Sequence, residues 1–237
     1  MKNIILKNAN VLNGTKDMKV ISNVSIKIED GKITEIGKVI PGLTDEIIDI
    51  EGKYVIPGLI NLHAHLPSSG KMSKRKIGDA KKLVKFVLSN KLTRKLGILV
   101  EKKTALNALY SGVTTIRTVG GAGNLDSELR NKINEGKILG PRLLVSNSAI
   151  GIPGGHMDGT VAIGVNSKEE IIELINKMAA DKIDLIKLMI TGGVLDGEEK
   201  GKPAPMRMKP ELIKAACNEA HRLGLKVAAH VESSEGI

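Results

Sequence analysis

The chain has 237 residues, of which 41% are hydrophobic, 26% charged and 1% aromatic, with a formal net charge of +10. That balance suits a soluble globular protein with an aliphatic core and excludes a disordered chain, a collagen-like chain and a disulfide-stapled miniprotein. The one cysteine, Cys217, cannot form an internal disulfide, and the sequence contains neither a signal peptide nor the roughly 18-residue apolar run of a membrane span, so a cytoplasmic, non-membrane protein is expected.

The first fifty-odd residues read as short strands. Ile4–Leu6, Val20–Ile21, Val24–Ile28, Ile33–Ile36, Ile47–Ile50 and Tyr54–Ile56 are rich in Ile and Val, and Asp30-Gly31 between two of them is a hairpin signal. This predicts a small β unit over 1–55. The pattern changes at Pro57-Gly58, where apolar strands begin to alternate with helical stretches over 56–237. Val55–Leu62 reads as a strand interrupted by Pro57-Gly58. Helix follows within Lys81–Tyr110, then strand Val113–Thr118, helix Ser127–Glu135 and strand Arg142–Ser146. Helix Lys168–Ala180 has Ser167 as its N-cap, and strand Leu185–Ile190 comes after it. Helix Pro210–Leu223 is stopped by Gly224, and Leu225–Val231 is the last strand. Alternation at this spacing implies an α/β fold with five parallel strands and right-handed crossovers.

The charge is unevenly placed. Lys71 to Lys103 contains twelve basic residues against two acidic ones, Asp79 and Glu101, a surplus equal to that of the whole chain. Interleaved leucines suggest amphipathic helix with a basic solvent face. A basic interaction module is the alternative. Nucleic acid is the weaker form of it, because no aromatic stacking residues accompany the charge.

Of the five histidines, His63 and His65 lie two apart at a strand end, so strand periodicity places both rings on one side. Two neutral imidazoles so arranged can hold one divalent transition metal; two unrelated loop histidines are the bland alternative. Lys187 lies within Asp184–Ile190, an apolar strand expected to be buried on both faces, where an ammonium is costly unless paired or neutral.

Val55–Leu66, VIPGLINLHAHL, resembles the first barrel strand of the amidohydrolase superfamily, with its Pro-Gly, short apolar run and His-x-His. Gly112–Arg117, the stretch from Leu129 to Ile150, Gly154–Asp158, Asp184–Lys187 with Thr191–Val194, and Val227–His230 resemble, in order, later segments of the imidazolonepropionase-like and Xaa-dipeptidase-related branch. Thr118 departs from the pattern, since many relatives carry Asp there. The resemblance implies a (β/α)8 barrel preceded by a small β-sandwich. It also implies a metal site of His63, His65, Lys187 and His230 for one or two divalent ions, with zinc expected. Lys187 would be carboxylated by CO2 to a carbamate, and His156 would bind substrate. The activity implied is hydrolysis of amide or cyclic amide bonds in a dipeptide-like or imidazolone-like small molecule.

Five strands are fewer than a barrel needs, and the resemblance places a further His ligand and the general-base Asp after Ile237. The chain therefore reads as a fragment, an inactive remnant or one half of a split enzyme complemented by a C-terminal chain, with no meaningful hydrolase activity alone. A homo-oligomer is left open. Asp158 and Asp196 have no evident place beside the reacting water.

Overall fold

The computed structural model describes residues 3–68, 77–193 and 205–237. Lys71, Lys74, Arg75 and Lys76 of the basic run, Val194 and Asp196 lie outside the described residues. The chain divides into two units, 1–58 and 59–237.

In the first unit, β1 (Ile4–Leu12) pairs antiparallel with β2 (Val20–Glu29), which pairs with β3 (Lys32–Gly37). Asp30 and Gly31 turn the β2–β3 hairpin with φ of 48° and 74°, the left-handed conformations that a tight two-residue hairpin requires. The segments expected as Val20–Ile21 and Val24–Ile28 are one strand. Asn23, at φ 53°, carries the chain through the irregularity between them. β4 (Glu46–Asp49) and β5 (Tyr54–Val55) both pair parallel with β1. The result is a single five-stranded sheet with Ala9, Val11 and Ile26 packed on one face, rather than two stacked layers among the described residues.

The second unit runs β6 (Leu59–Ala64), α1 (Ile77–Leu88), α2 (Lys91–Tyr110), β7 (Val113–Thr118), α3 (Leu125–Asn134), β8 (Arg142–Leu144), β9 (Ala149–Gly151), β10 (Ala162–Gly164), α4 (Lys168–Ala180), β11 (Leu185–Met189), α5 (Pro210–Arg222) and β12 (Lys226–His230). Strand pairing throughout is parallel, as the alternation predicts. Val55–Leu62 is not one strand: β5 ends before Pro57, which has no N–H to donate, and β6 starts at Leu59. The five expected strands also do not form one sheet. They divide into β6-β7-β8 and β10-β9-β11-β12, and β9 and β10 are two short additions. The division has a local cause. Val145 N–H donates to the Asp184 carboxylate at 2.7 Å while Asp184 N–H donates to Val145 O at 2.8 Å, so a side chain replaces the next rung and β8 stops at Leu144.

Helix ends follow capping chemistry. Asn90 accepts from the backbone of Leu92 and Thr93 in a reciprocal box with Thr93, and Ser167 accepts from Glu170 N. Pro210 opens α5, and Gly224 at φ 73° follows its end. One core joins α4 and α5 to β11 through Ile150, Ile171, Ile175, Ile186 and Leu188. Another joins α2 and α3 to β7 and β8 through Ile98, Ile116, Leu125, Leu129 and Leu143. Each such side chain contributes about 1.5–3 kcal/mol by leaving water. No helix among the described residues is long and apolar enough to cross a membrane.

Glu101 breaks the pattern. It is 1% exposed on the core side of α2, and neither carboxyl oxygen has a hydrogen-bond partner. Burial, with Asp126 and Glu128 nearby, holds its carboxyl well above the usual carboxylate range. A raised carboxyl pKa means the folded chain keeps a proton the unfolded chain loses, so stability falls as pH rises above the unfolded value of about 4.3. Glu101→Leu, similar in volume, is expected to stabilise the fold by about 1–3 kcal/mol at pH 8 and by less at pH 4.5. Denaturant melts at the two pH values check this; an equal effect at both would contradict it.

Candidate metal and substrate site

Core packing decides which way each strand faces. Ile186 and Leu188 of β11 enter the helix-side core, so Leu185, Lys187 and Met189 face the other side. Val227 and Val231 pack on the same core, which turns Ala228 and His230 of β12 toward the Lys187 side. The register pairs Lys187 with Ala228 and Met189 with His230, so His230 stands one pleat beyond Lys187. In the other sheet Ala64 and Leu66 point to the helices, leaving His63 and His65 on the opposite face with ring centroids 5.4 Å apart. Ile116 and Thr118 of β7 likewise point to the helices, and Arg117 does not. Its Nε donates to Leu62 O at 2.7 Å.

His156 lies in the loop between β9 and β10. Its ring stacks on that of His230 at 4.3 Å with 13° between the planes. Gly193 admits the stack: a Cβ there would stand 2.5 Å from the His156 ring. Asp158 shapes this loop, accepting from Gly154 N at 3.0 Å and Gly164 N at 2.9 Å, with Lys81 Nζ at 3.8 Å.

The groups sense one another. Burial lowers the proton affinity of His63, and Lys187, His65, Arg117 and His230 lower it further. Burial also lowers that of His65, where the bond to Gly120 O acts in the opposite sense. For His230, burial acts first and His156 second. Lys187 is 2% exposed, and burial followed by the Arg117 charge brings its pKa down to about 8.

This donor set fits a divalent transition metal in its chemistry. His65 Nδ1 lies 2.9 Å from Gly120 O; the N–H···O bond this distance implies leaves the Nε2 lone pair for a cation. His230 Nε2 is buried without a hydrogen bond. Lys187 is buried with no hydrogen-bond or ion-pair partner among the described residues. His, Cys, Asp and Glu side chains alone form no metal-holding group of three among the described residues, so a site here would draw on Lys187 as well.

Arg117 escaped the sequence reading, because its role depends on which side of β7 faces the helices. Thr118, noted there as a departure, has a defined place. Its hydroxyl donates to the buried Asp126 at 2.6 Å, and Asp126 accepts in turn from Asn147 N and Ser127 N. Ser146 Oγ accepts from Gly120 N at 2.9 Å, so this network also fixes the loop that orients His65.

Residues 54–237 match the amidohydrolase family. Among curated proteins, the 5-methylthioadenosine/S-adenosylhomocysteine deaminase of Thermococcus onnurineus is 34% identical over 118 residues, 47% of this chain and 27% of that protein. The dihydroorotase of Geobacillus sp. is 45% identical over 75 residues, 31% of this chain and 17% of its own. Among solved structures, a protein of Bifidobacterium longum provisionally assigned as a prolidase is 32% identical, with a TM-score of 0.76, over 99% of this chain and 51% of that one. A Xaa-Pro dipeptidase with methionine bound in its active site is 26% identical, with a TM-score of 0.75, over 99% and 58%. The chain thus spans about half the length of these structures and less of the curated relatives.

Gly193→Ala is expected to part the His156 and His230 rings, since the methyl and the imidazole cannot share one space. In NMR spectra, the ring-current shifts that each imidazole imposes on the other should collapse. Unchanged imidazole resonances would contradict the packing argument.

Proposed function

We propose that this chain, which belongs to the amidohydrolase family, carries one part of a metal-dependent site that hydrolyses an amide or cyclic amide C–N bond. The observation that carries the reading is Lys187: a buried amine without a hydrogen-bond or ion-pair partner among the described residues, on the same face of its sheet as His230 and in the electrostatic field of His63. The dipeptide-like substrate is favoured because similarity to the Xaa-Pro dipeptidase extends over 99% of this chain. Similarity to the deaminases and the dihydroorotase covers less than half of it. All these reactions share water attack at a carbon bonded to nitrogen. The two parallel sheets, each strand facing its helices, are read as successive parts of a (β/α)8 barrel.

His63, His65, His230 and the Lys187 nitrogen, as a CO2-derived carbamate, would hold one or two divalent ions, with zinc the expected metal. When bound, such an ion polarises the scissile carbonyl and acidifies water. For carboxylation, the neutral amine of Lys187 bonds through its lone pair to the carbon of CO2 and releases a proton, leaving an anion. Its lowered pKa enlarges the neutral fraction available at pH 7 to 8. Partial desolvation lowers the proton affinity of His63, His65 and His230 and so favours the neutral ring, the state that binds metal. His156, stacked on His230, would contact substrate, and Arg117 would add positive charge where the carbonyl oxygen develops negative charge. No aspartate among the described residues takes the general-base role. Asp158 is engaged in its own loop and Asp126 faces the helices.

Metal analysis of the purified protein tests the reading. Wild type reconstituted with zinc and bicarbonate should retain metal through gel filtration and gain the mass of one CO2. His63→Ala with His65→Ala, and Lys187→Met, should each lose most of the metal. Equal content in all three would sink the assignment.

Lys187→Met should also separate function from stability. In the metal-free protein the folded pKa of Lys187 lies below the unfolded value of about 10.4. The unfolded chain therefore binds the extra proton, and the lysine costs stability below pH 8, a cost that fades as pH rises toward 10.4. Lys187→Met is expected to stabilise the metal-free fold by roughly 2–3 kcal/mol at pH 7 and by much less at pH 10. Chemical denaturation without metal checks the sign.

A further inference from the structure

The outward face of α2 is built differently from the surface helix that its charge suggests. Its core side is Thr93, Gly97, Ile98, Glu101 and Ala105. The opposite side carries Leu92, Leu96, Leu99, Lys103, Leu106 and Tyr110, spaced alternately by four and three residues. That is the narrow seam of a helix that packs against another helix, not the broad stripe of one that packs on a sheet. Leu92 is 70% exposed, Leu99 57% and Tyr110 77%. Val100, 54% exposed, widens the seam on one flank. Six apolar or aromatic residues facing outward along one helix form the kind of patch that marks an interaction surface.

The charges say what kind of helix fits. Lys91, Lys95, Lys102 and Lys103 make no ion pair among the described residues, whereas Arg94 turns inward to Glu128. The helix contains one acidic residue, Glu101, and it is buried on the other side. Lys103 stands at a central seam position, where a charge sets register with a partner that answers it. A second copy of α2 would bring only like charges to the seam and its flank. A bilayer would have to accept an ammonium at the middle of the inserted stripe.

We propose that the outward face of α2 docks an acidic amphipathic helix of another protein, with apolar residues at the same four-three spacing and carboxylates opposite Lys103 and along the Lys95–Lys102 flank. The inference stands apart from the metal site, because none of these residues lies on the strands that carry it.

Fluorescence anisotropy with the full chain and two synthetic three-heptad peptides tests it. Both peptides carry Leu at the seam, one with Glu and the other with Lys at the central and flanking positions. The Glu peptide should bind about tenfold or more tightly than the Lys peptide, and added salt should weaken it. Lys103→Glu should narrow or reverse the preference. Leu96→Ser with Leu99→Ser, in a protein whose circular dichroism and melting temperature are unchanged, should abolish binding. Equal affinity for the two peptides, or undiminished binding by the Leu96→Ser/Leu99→Ser protein, would overturn the proposal. So would self-association in light scattering that the double variant removes, which would make the occupant a second copy. Sedimentation with phosphatidylserine vesicles, lost in the double variant and unaccompanied by peptide binding, would make it a membrane.

Discussion

Much of the second unit's arrangement turns on one costly fact, a lysine in the middle of a strand that has no exposed residue. All five residues of β11 are buried, and Lys187 is among the largest fully buried side chains of the protein. An ammonium placed there without a carboxylate would cost several kcal/mol, and the neighbouring charge, Arg117, has the same sign. The fold tolerates this because β11 is held on its other face by Ile186 and Leu188, both at 0% exposure in the larger core. The apolar packing fixes the strand, and the strand imposes the position on the amine. A residue kept at such cost has a chemical use more often than a structural one. Under the proposed reading, conversion to an anion beside cations turns the worst-placed charge in the fold into a favourable one.

Glu101 and Lys187 make an instructive pair, since both are buried ionisable groups with no hydrogen-bond partner among the described residues. Glu101 sits among helices, facing Asp126, which is itself satisfied by Thr118, Ser127 and Asn147. A proton resolves its predicament, and nothing beside it suggests a metal. Lys187 faces the side where His230 Nε2 has no hydrogen bond, with the Glu232 carboxylate 3.6 Å away, and His65 has one ring nitrogen committed to Gly120. Burial alone therefore does not identify the site. What separates the two is whether the surrounding donors have lone pairs left over.

The sequence made legible those features whose signals are local. β7 and α4 lie where the apolar runs and Ser167 place them, and α5 begins at Pro210. The parallel arrangement follows from the alternation of strand and helix. The features that escaped are set by long-range partners. β8 is cut short by the carboxylate of Asp184, forty residues away in sequence, which no periodicity reveals. β9 and β10 are three residues each within glycine-rich loops, too short to show a period of two. Glu101 has the sequence signature of one more surface charge on a charged helix, but the helix turns Leu92, Leu96 and Leu99 outward and its glutamate inward.

That inversion in α2 carries a wider point about reading amphipathic helices. A helix with apolar residues on one face is normally taken to bury that face. Here the buried side needs small and short residues, because Val87 of α1 and Leu125 of α3 approach so closely that a Cβ on Gly97 would lie 2.6 and 2.7 Å from them. The close approach of three helices leaves no room for a side chain at Gly97, and Leu92, Leu96 and Leu99 are left on the outer face. Hydrophobicity alone would assign the core to the wrong side of this helix. Side-chain volume at the point of closest approach assigns it correctly, and the surplus of large apolar residues on the far side is then evidence about what the helix meets next.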